Sequence, residues 1–309
     1  MSEKFNPLDL SKLKFVAKRC DLCGSRESKP LYSVPFLGKE FCFVRCLSCG
    51  LVYQDPVLDK ESLEHLYETL EYWSHKTKGS TDSTMLNYYS YLGEKDIRRR
   101  TAEIRVKWMA PHLPCNARIL DLGCSDGLFV NALSQSGYRA SGIDISDAMI
   151  TFGRETYGVD VSRADFEGDW PFTKTFDAIT CYATLSNIVN PSRVFANIRR
   201  HLRPGGMFFL NFGDSRRLVS LLLGSRLYLY RPTACSIYSK KIVKEYCSKY
   251  GFQILDLFND VQAVPLARLI GFLRIPALVR GIKLLGLENK SLKMILLTGY
   301  AARAVREDV

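Results

Sequence analysis

Ala117-Arg-Ile-Leu-Asp-Leu-Gly-Cys-Ser-Asp-Gly-Leu-Phe-Val130 is the stretch that decides the fold of this 309-residue chain. Apart from Asp121, residues 119–122 form the apolar run that is typical of a strand covered on both faces. Gly123 and Gly127 bracket the turn that follows, so the backbone can approach a ligand there and the next helix can pack close to the strand. A strand, a tight turn and a helix N-terminus in this order predict a ligand-binding site.

Carboxylates at the ends of successive strands narrow the choice of ligand. A dinucleotide fold favours G-x-G-x-x-G with a pyrophosphate at the helix N-terminus, whereas this chain has D-x-G-x-x-x-G. Asp121 would repel a pyrophosphate but suits a ligand with a cationic amino group. Asp144 ends a second predicted strand about twenty residues on, where a carboxylate can accept both hydroxyls of a ribose. Asp165 follows a third, short strand predicted at 159–162.

These residues and the motifs after them resemble the class I S-adenosylmethionine-dependent methyltransferases. The matching stretches are Asp121–Gly127, Gly142–Ile145, Phe176–Cys181 as a fourth strand, and Leu202–Gly206 as the turn before a fifth strand at Met207–Phe212. The resemblance implies an α/β fold with a doubly wound, mostly parallel, seven-stranded sheet. A helix at 239–250, a strand at 252–258 and a final antiparallel strand at 293–301 complete the expected core.

The same resemblance implies S-adenosylmethionine as the cofactor. In relatives the glycine loop lies under the methionine moiety, the acid after the second strand binds the ribose, and the acid after the third strand meets the adenine amino group. These roles carry over to Gly123, Asp144 and Asp165. Ser125 departs from the pattern, since many relatives have another glycine there. The full set of expected cofactor-binding residues is Asp121, Gly123, Ser125, Gly127, Asp144, Ile145, Asp165, Phe166 and Cys181.

Two C-x-x-C pairs near the start predict a structural zinc site. Cys20-Asp-Leu-Cys23-Gly24 and Cys46-Leu-Ser-Cys49-Gly50 each end in a glycine that permits the turn around the sulfur atoms. Four thiolates at this spacing can close a tetrahedral site with no open position. Strands predicted at 31–34 and 41–44 make the module a zinc ribbon, and Cys42 lies within the second strand, outside both pairs. Disulfides or buried unligated cysteines are the alternatives.

Composition favours a cytoplasmic protein with one large domain and an appendage. With 47% hydrophobic residues the chain is not a disordered one, and no apolar stretch follows Met1 to act as a signal peptide. In a reducing compartment, paired cysteines indicate metal binding. The net charge of +11 raises the question of nucleic acid or anionic membranes, but its cations are spread along the chain.

The order of modules extends the resemblance to nearly the whole chain. A ribbon ending in Cys49-Gly-Leu-Val-Tyr53, then a helix predicted at 59–72, then the methyltransferase core, resembles a bacterial group that includes deoxysugar C-methyltransferases. We expect a zinc-ribbon module at 1–56, a connecting helix and linker at 57–93, and a methyltransferase domain at 94–309 with a basic, apolar insertion at about 262–289.

Two charged segments need a separate interpretation. The helix predicted at 94–109 is expected to turn Lys95, Arg98, Arg99 and Lys107 towards solvent, which favours a solvated face over a phosphate-binding patch.

The segment Val264–Leu287 has its cations spread around a helix and is interrupted by prolines, so it is not expected to span a membrane. We expect it to cover the acceptor pocket, with peripheral membrane contact as the alternative.

No general base is visible where relatives that methylate oxygen carry a Glu-His pair, because this chain has Ser186-Asn187 there. A Pro-x-His context near the later helix is also missing, since residues 232–234 are Pro-Thr-Ala. His65 and His75, in the connecting region, are the remaining histidine candidates, whereas His112 and His201 are expected to be structural. The catalytic residue therefore stays open, and with it the acceptor atom.

Three functions fit the sequence. The first is a methyltransferase acting on a small molecule, such as a sugar, nucleotide-sugar, or natural-product or polysaccharide precursor. The second is a ribosomal RNA methyltransferase, because zinc-bearing enzymes of that kind also join four metal ligands to this core and the net charge is basic. The third is a binding or scaffold protein that has lost activity, which the missing histidines suggest. The sequence leaves the oligomeric state open.

Overall fold

The computed structural model of the protein describes residues 6, 8–36, 38–69, 72–73, 94–227, 229–265, 285 and 291–307. Except for Trp73, the linker expected at 73–84 lies outside these residues, as do His75 and nearly all of Val264–Leu287. Across the described part of the chain, none of the helices is both long and apolar enough to cross a bilayer.

The N-terminal module is built from short antiparallel strands and one helix. Its elements are β1 (Phe15–Val16), β2 (Ser28–Phe36), β3 (Lys39–Cys46), β4 (Val52–Gln54), β5 (Val57–Leu58) and α1 (Lys60–Tyr67). Strands β2 and β3 form a hairpin and β4 pairs with β3, while β1 pairs with β5. Helix α1 begins after Asp59, whose side chain accepts the N–H of Ser62, and it ends earlier than the expected 59–72.

The larger unit alternates strands and helices. Its elements are α2 (Lys95–Met109), β6 (Arg118–Leu122), α3 (Leu128–Gln135), β7 (Arg139–Asp144), α4 (Asp147–Tyr157), β8 (Val161–Arg163), β9 (Phe176–Cys181), α5 (Pro191–His201), β10 (Leu202–Gly213), α6 (Leu218–Leu223), β11 (Ser236–Ile237), α7 (Lys240–Lys249), β12 (Phe252–Pro265) and β13 (Ser291–Arg306). The fourth strand has the predicted bounds, whereas the third is shifted to Val161–Arg163.

Seven strands form one sheet in the order β12-β13-β10-β9-β6-β7-β8, which confirms the predicted fold class. The five strands from β10 to β8 are parallel, and β13 is inserted antiparallel between β10 and β12. Strand β12 continues to Pro265, so residues 262–265 belong to the sheet and not to the expected insertion. The sheet is covered on both faces, because the adjacent residues Ile119 and Leu120 of β6, whose side chains point to opposite faces, are both fully buried.

The two units share a sheet and a core. Strand β11 of the larger unit pairs antiparallel with β4, which makes the ribbon sheet four-stranded. Cys20 and Cys46 lie in the same buried cluster as Phe195 and Tyr246 of the larger unit. The carboxylate of Asp21 also accepts hydrogen bonds from the Tyr246 hydroxyl at 2.7 Å and from a backbone N–H of α5 at 2.8 Å. The N-terminal module is therefore packed against the carboxyl edge of the large sheet.

Candidate active site

The turn after β6 takes its shape from two glycines with left-handed backbone. Gly123 has φ 73° and Gly127 has φ 69°. A Cβ on Gly123 would lie 2.1 Å from the side-chain oxygen of Thr184, and one on Gly127 would lie 2.7 Å from Val159. Gly127 thus lets α3 pack close to the segment before β8, as the motif predicts. At Gly123 the missing Cβ makes room for Thr184 in the loop after β9.

Ser125 occupies the middle of this turn with φ 51°. This conformation costs an L-residue roughly 1 kcal/mol, which explains why a glycine suits the position. Its N–H donates to a carboxylate oxygen of Asp144 at 2.8 Å, and the N–H of Ser146 donates to the other oxygen at 3.0 Å. Burial raises the pKa of Asp144 to about 6, although these backbone hydrogen bonds oppose the shift.

Asp121 lies behind the turn and is only 4% exposed. Its Oδ1 accepts the hydroxyl of Thr180 at 2.6 Å. Burial raises its pKa to about 7, opposed by the Thr180 hydrogen bond and by the positive charge of Arg105. The guanidinium of Arg105 lies 4.2 Å from the centre of the Tyr182 ring. A buried acid and a cation therefore stand on neighbouring elements beside the glycine turn, and sequence analysis missed the cation.

Helix α1 of the N-terminal module reaches the strand ends where the cofactor is expected. The ammonium of Lys60 pairs with the carboxylate of Asp165 at 2.8 Å. Glu68, at the end of α1, accepts the N–H groups of Asp147 and Ala148 in the first turn of α4 at 2.5 and 3.2 Å. A carboxylate at a helix N-terminus is stabilised by the free N–H groups and the helix dipole.

A cavity of about 390 Å³ opens along this edge of the sheet. Since β7 and β8 lie on one side of β6, and β10 and β12 on the other, a cavity lined by all of them extends across the carboxyl ends of the strands. The N-terminal module supplies one wall, with Val16, Asp59, Lys60, Leu63, Tyr67, Tyr72 and Trp73. The volume of the cavity falls in the range that is typical of small-molecule sites, roughly 300–1,000 Å³.

The structure brings six of the nine expected cofactor residues to this cavity. They are Gly123, Ser125, Asp144, Ile145, Asp165 and Phe166. Asp121 lies behind the wall, Gly127 packs against Val159, and Cys181 is fully buried in the core. Within the described part of the chain, the side-chain hydroxyls of Ser125, Tyr67 and Tyr182 are buried without a hydrogen-bond partner although all three residues line the cavity. Such atoms fit a polar ligand.

Comparison with known proteins identifies the family. A family model described as a methyltransferase domain matches residues 94–257, which is more than half of the chain. The chain belongs to this family. It is an S-adenosylmethionine-dependent methyltransferase.

Two relatives are ubiquinone biosynthesis O-methyltransferases. The protein from Coxiella burnetii (strain Dugway 5J108-111) is 23% identical over 167 residues, covering 50% of this chain and 71% of its own length. That from Thiobacillus denitrificans is 30% identical over 151 residues, covering 45% of this chain and 64% of its own length. The matched stretches thus span about half of the methyltransferase described here.

Solved structures show the same fold. A complex of the Trm112 methyltransferase activator and a candidate methyltransferase from Haloferax volcanii aligns with a TM-score of 0.52 and 17% identity, covering 70% of this chain and 94% of the matched one. A candidate methyltransferase from Bacillus halodurans aligns with a TM-score of 0.50 and 14% identity, covering 67% and 99%. Both alignments support the doubly wound architecture of the methyltransferase.

Beyond the cofactor residues, the methyltransferase has a buried polar cluster on the β10 and β12 side of the cavity. Asp260, 3% exposed, accepts hydrogen bonds on Oδ2 from the side-chain amides of Asn211 at 2.8 Å and Gln262 at 2.6 Å. The Asn211 oxygen in turn accepts the N–H of Ala183 in the loop after β9 at 2.6 Å. All four residues line the cavity. Sequence analysis missed Asp260, which stands two residues beyond the predicted end of its strand.

The loop with Ser186 and Asn187, where relatives carry Glu-His, is held by Arg231. One guanidinium nitrogen of Arg231 donates to the Ser186 hydroxyl at 3.1 Å and to the Asn187 side-chain oxygen at 2.6 Å. Gln54 of β4 donates to the carbonyl oxygens of Arg231 and Pro232, at 3.1 and 2.9 Å. Arg231, Ser186 and Asn187 all line the cavity, so this wall depends on both units of the methyltransferase.

Arg98 and two of the histidines, His65 and His201, make contacts within the fold. Arg98 does not point to solvent: its side chain is 14% exposed and forms a bidentate pair with buried Asp126 at 3.0 and 2.5 Å. Its partner comes from the glycine turn, which the helical pattern alone cannot show. His65 accepts the N–H of Asp9 at 3.1 Å and is not among the cavity-lining residues, and His201 stacks on Trp170. The contacts of both histidines are typical of residues that stabilise the fold.

The four predicted zinc ligands converge in the methyltransferase. The sulfur atoms of Cys20, Cys23, Cys46 and Cys49 all lie within 4.8 Å of one another. A tetrahedral zinc with Zn–S distances of about 2.3 Å would place them roughly 3.8 Å apart, so the donor set fits the ion. The N–H of Leu51 also points at the Cys49 sulfur, 3.5 Å away, as expected of an amide around a thiolate.

Proposed function

We propose that this methyltransferase modifies a small molecule held in the cavity across the sheet edge. The observation that carries the proposal is that a single cavity is lined both by the glycine turn with Asp144 and by the separate polar cluster around Asp260. The first group suits the cofactor, which leaves the second for the acceptor. An S-adenosylmethionine molecule supplies an electrophilic methyl group when bound.

The residues around the turn would hold the cofactor as follows. Asp144 accepts the ribose hydroxyls, and Asp165 meets the adenine amino group beside Lys60. Asp121 and Arg105 do not line the cavity, so their opposite charges would act across the turn on the ammonium and carboxylate of the methionine moiety. Because Lys60 of α1 pairs with Asp165 and Glu68 accepts two N–H groups of α4, the N-terminal module would fix the geometry of this half of the cavity.

Asp260 is the residue that could accept a proton from the acceptor. A hydroxyl attacking a methyl group must lose its proton, and a base within hydrogen-bond reach makes the oxygen a better nucleophile. The amides of Asn211 and Gln262 hold the Asp260 carboxylate in position at the cavity wall. Asp260 would accept the proton that the acceptor hydroxyl loses when it is methylated. The O-methyltransferase names of the relatives also favour an oxygen acceptor.

The proposed acceptor class is a hydroxylated small molecule such as a sugar, nucleotide-sugar or natural-product precursor. Tyr67, Trp73 and Leu229 offer the cavity an apolar and aromatic surface, and Arg231 adds a cation for an anionic group. An RNA acceptor needs an open basic surface for its backbone, whereas the N-terminal module closes over this site. The cations behind the net charge of +11 are spread along the chain, and Asp260 offers a base in place of the missing histidines, so RNA and an inactive scaffold are less well supported.

The zinc ribbon is proposed to be structural and to support the acceptor wall. Its four cysteines would bind one zinc ion with no position left for water. The proposed boundaries are 1–56 for this module, 57–93 for the connection and 94–309 for the methyltransferase domain. Because β4 pairs with β11, whose residues Ser236 and Ile237 line the cavity, the module would complete the site.

The proposal is tested by tracing a labelled methyl group from S-adenosylmethionine to its acceptor. Purified protein is incubated with methyl-labelled S-adenosylmethionine and either the small-molecule fraction or the ribosomal RNA of a bacterial extract. Label should enter the small-molecule fraction, and labelled RNA would refute the proposal. Asp260→Asn should reduce transfer by roughly 10²–10⁴-fold while the cofactor affinity measured by calorimetry stays unchanged. Asp256→Asn, on the same strand but paired with Arg303 away from the cavity, is the matched control.

A further inference from the structure

Helix α6 presents leucines to solvent. Leu218 is 71% exposed, Leu221 57%, Leu222 74% and Leu223 45%. Four large apolar side chains exposed within six residues are unusual, because soluble proteins rarely expose contiguous apolar surface without a partner. We call these four residues the leucine patch.

Cations surround the leucine patch. Arg216 precedes it and Arg226 follows it, and both are exposed. Lys240 and Lys241, in the first turn of α7, line one shallow depression together with Arg216 and Leu218. The patch and its basic rim are thus contiguous, with apolar side chains in the middle and positive charge at the border.

A buried carboxylate fixes this arrangement. Asp214 is 3% exposed, and its two oxygens accept the N–H groups of Arg216 at 2.7 Å and Lys240 at 3.3 Å. Its carbonyl oxygen accepts the hydroxyl of Ser220, on the buried side of α6, at 2.6 Å. The leucine patch and the lysines are therefore held by the same residue.

The patch adjoins the active-site cavity. Strand β10 ends at Gly213, which lines the cavity, and α6 begins five residues later. Arg217 donates to the carbonyl oxygen of Gly299, another lining residue, at 3.1 Å. A surface that docks here brings its outer layer next to the substrate cavity.

We propose that the leucine patch and its basic rim dock the protein on an anionic lipid bilayer. Apolar side chains that enter the acyl boundary, with cations at the headgroup level, are the combination that binds such surfaces. A second copy of the chain fits less well, because pairing two identical patches would bring their cationic rims together in a protein of net charge +11. RNA would leave the leucines without a partner. The inference is independent of the proposed acceptor.

The test is flotation with vesicles of phosphatidylcholine, with and without about 30% phosphatidylglycerol, at physiological salt. The full-length protein should float with the anionic vesicles. Leu218→Ser/Leu222→Ser should lower the partition coefficient at least about tenfold, since each buried leucine contributes strongly. Lys240→Gln/Lys241→Gln should lower it about fivefold per charge on anionic vesicles only. Leu255→Ser, at an exposed leucine on β12, is the matched control and should float as the wild type does.

Three results would overturn the proposal: no flotation of the wild type, unchanged flotation of the double leucine variant, or a dimer in light scattering that the leucine substitutions dissociate. Far-ultraviolet circular dichroism and S-adenosylmethionine affinity of each variant should match the wild type, because these side chains lie outside the cavity. Transfer activity in detergent-free solution separates docking from catalysis. Docking can fail while methyl transfer persists, and the reverse also holds.

Discussion

Replacing Asp144 by alanine should weaken S-adenosylmethionine binding about tenfold to a hundredfold at pH 7.5. The proposed ribose hydroxyls donate to an ionised carboxylate, and such charge-assisted hydrogen bonds contribute roughly 1.5–3 kcal/mol. Asp144 is suited to this task because the N–H groups of Ser125 and Ser146 already fix both of its oxygens. The substitution removes this acceptor together with its hydrogen bonds to the N–H groups of Ser125 and Ser146.

The same assignment predicts how binding depends on pH. Burial raises the pKa of Asp144 to about 6, above its ordinary value of 3.8. The ionised form binds the ribose, so affinity should be full above about pH 7 and fall as pH is lowered through 6. At pH 5 roughly one tenth of the carboxyl groups would be ionised, which weakens binding about tenfold. In Asp144→Ala this part of the pH dependence should disappear.

Isothermal titration calorimetry between pH 5 and 8 measures both effects. Asp147→Ala, at an exposed acid three residues on, is the matched control and should bind as the wild type does. Asp121 titrates in a nearby range, so the comparison is between the slopes of wild type and Asp144→Ala at the same pH values. Equal affinity of the two proteins at pH 7.5, or equal slopes below pH 6, would refute the ribose assignment.

Three further predictions concern stability and metal. Ionising Asp121, whose pKa burial raises to about 7, costs about 4 kcal/mol above that pH. Asp121→Asn should therefore raise the melting temperature of the cofactor-free protein by several degrees at pH 8 but not at pH 4, as scanning calorimetry can check. Glu68→Ala removes a carboxylate that accepts two N–H groups in the first turn of α4, and should cost about 1 kcal/mol in chemical denaturation, with Glu61→Ala, at an exposed residue of α1, as control. Elemental analysis should find about one zinc per chain, and its removal by a chelator should lower both melting temperature and cofactor affinity; a metal-free protein with unchanged properties would contradict the zinc prediction.

Local patterns were sufficient to predict the large sheet. A buried apolar run followed by a glycine turn is encoded within about ten residues, and the positive φ angles of Gly123 and Gly127 follow from that turn. The same holds for the two C-x-x-C pairs, whose sulfur atoms do converge. Asp144 and Asp165 could be placed because parallel strands end at one edge of a sheet.

Contacts between distant segments could not be predicted in this way. Nothing near Lys60 in the sequence indicates Asp165, and the bidentate partner of Arg98 lies in the glycine turn. Asp260 was missed because β12 extends beyond the apolar run that marked its predicted end at Phe258. Strand β11 pairs with β4 through only two residues, which is too short for an alternating hydrophobic pattern to be recognised in the sequence. Each of these contacts depends on how the N-terminal module and β12 pack on the finished sheet.

Packing of the N-terminal module links the predicted zinc site to the proposed chemistry. Cys20 and Cys46 belong to the same buried cluster as Tyr246, and Asp21, between two of the ligands, holds the hydroxyl of that tyrosine. Losing a metal that fixes these cysteines would therefore disturb a core shared with α7, not only a surface appendage. The same module reaches Asp165 through Lys60, on the cofactor side of the cavity. Because interiors are close-packed and transmit displacements, a zinc ion outside the cavity can still determine whether cofactor and acceptor meet in the required geometry.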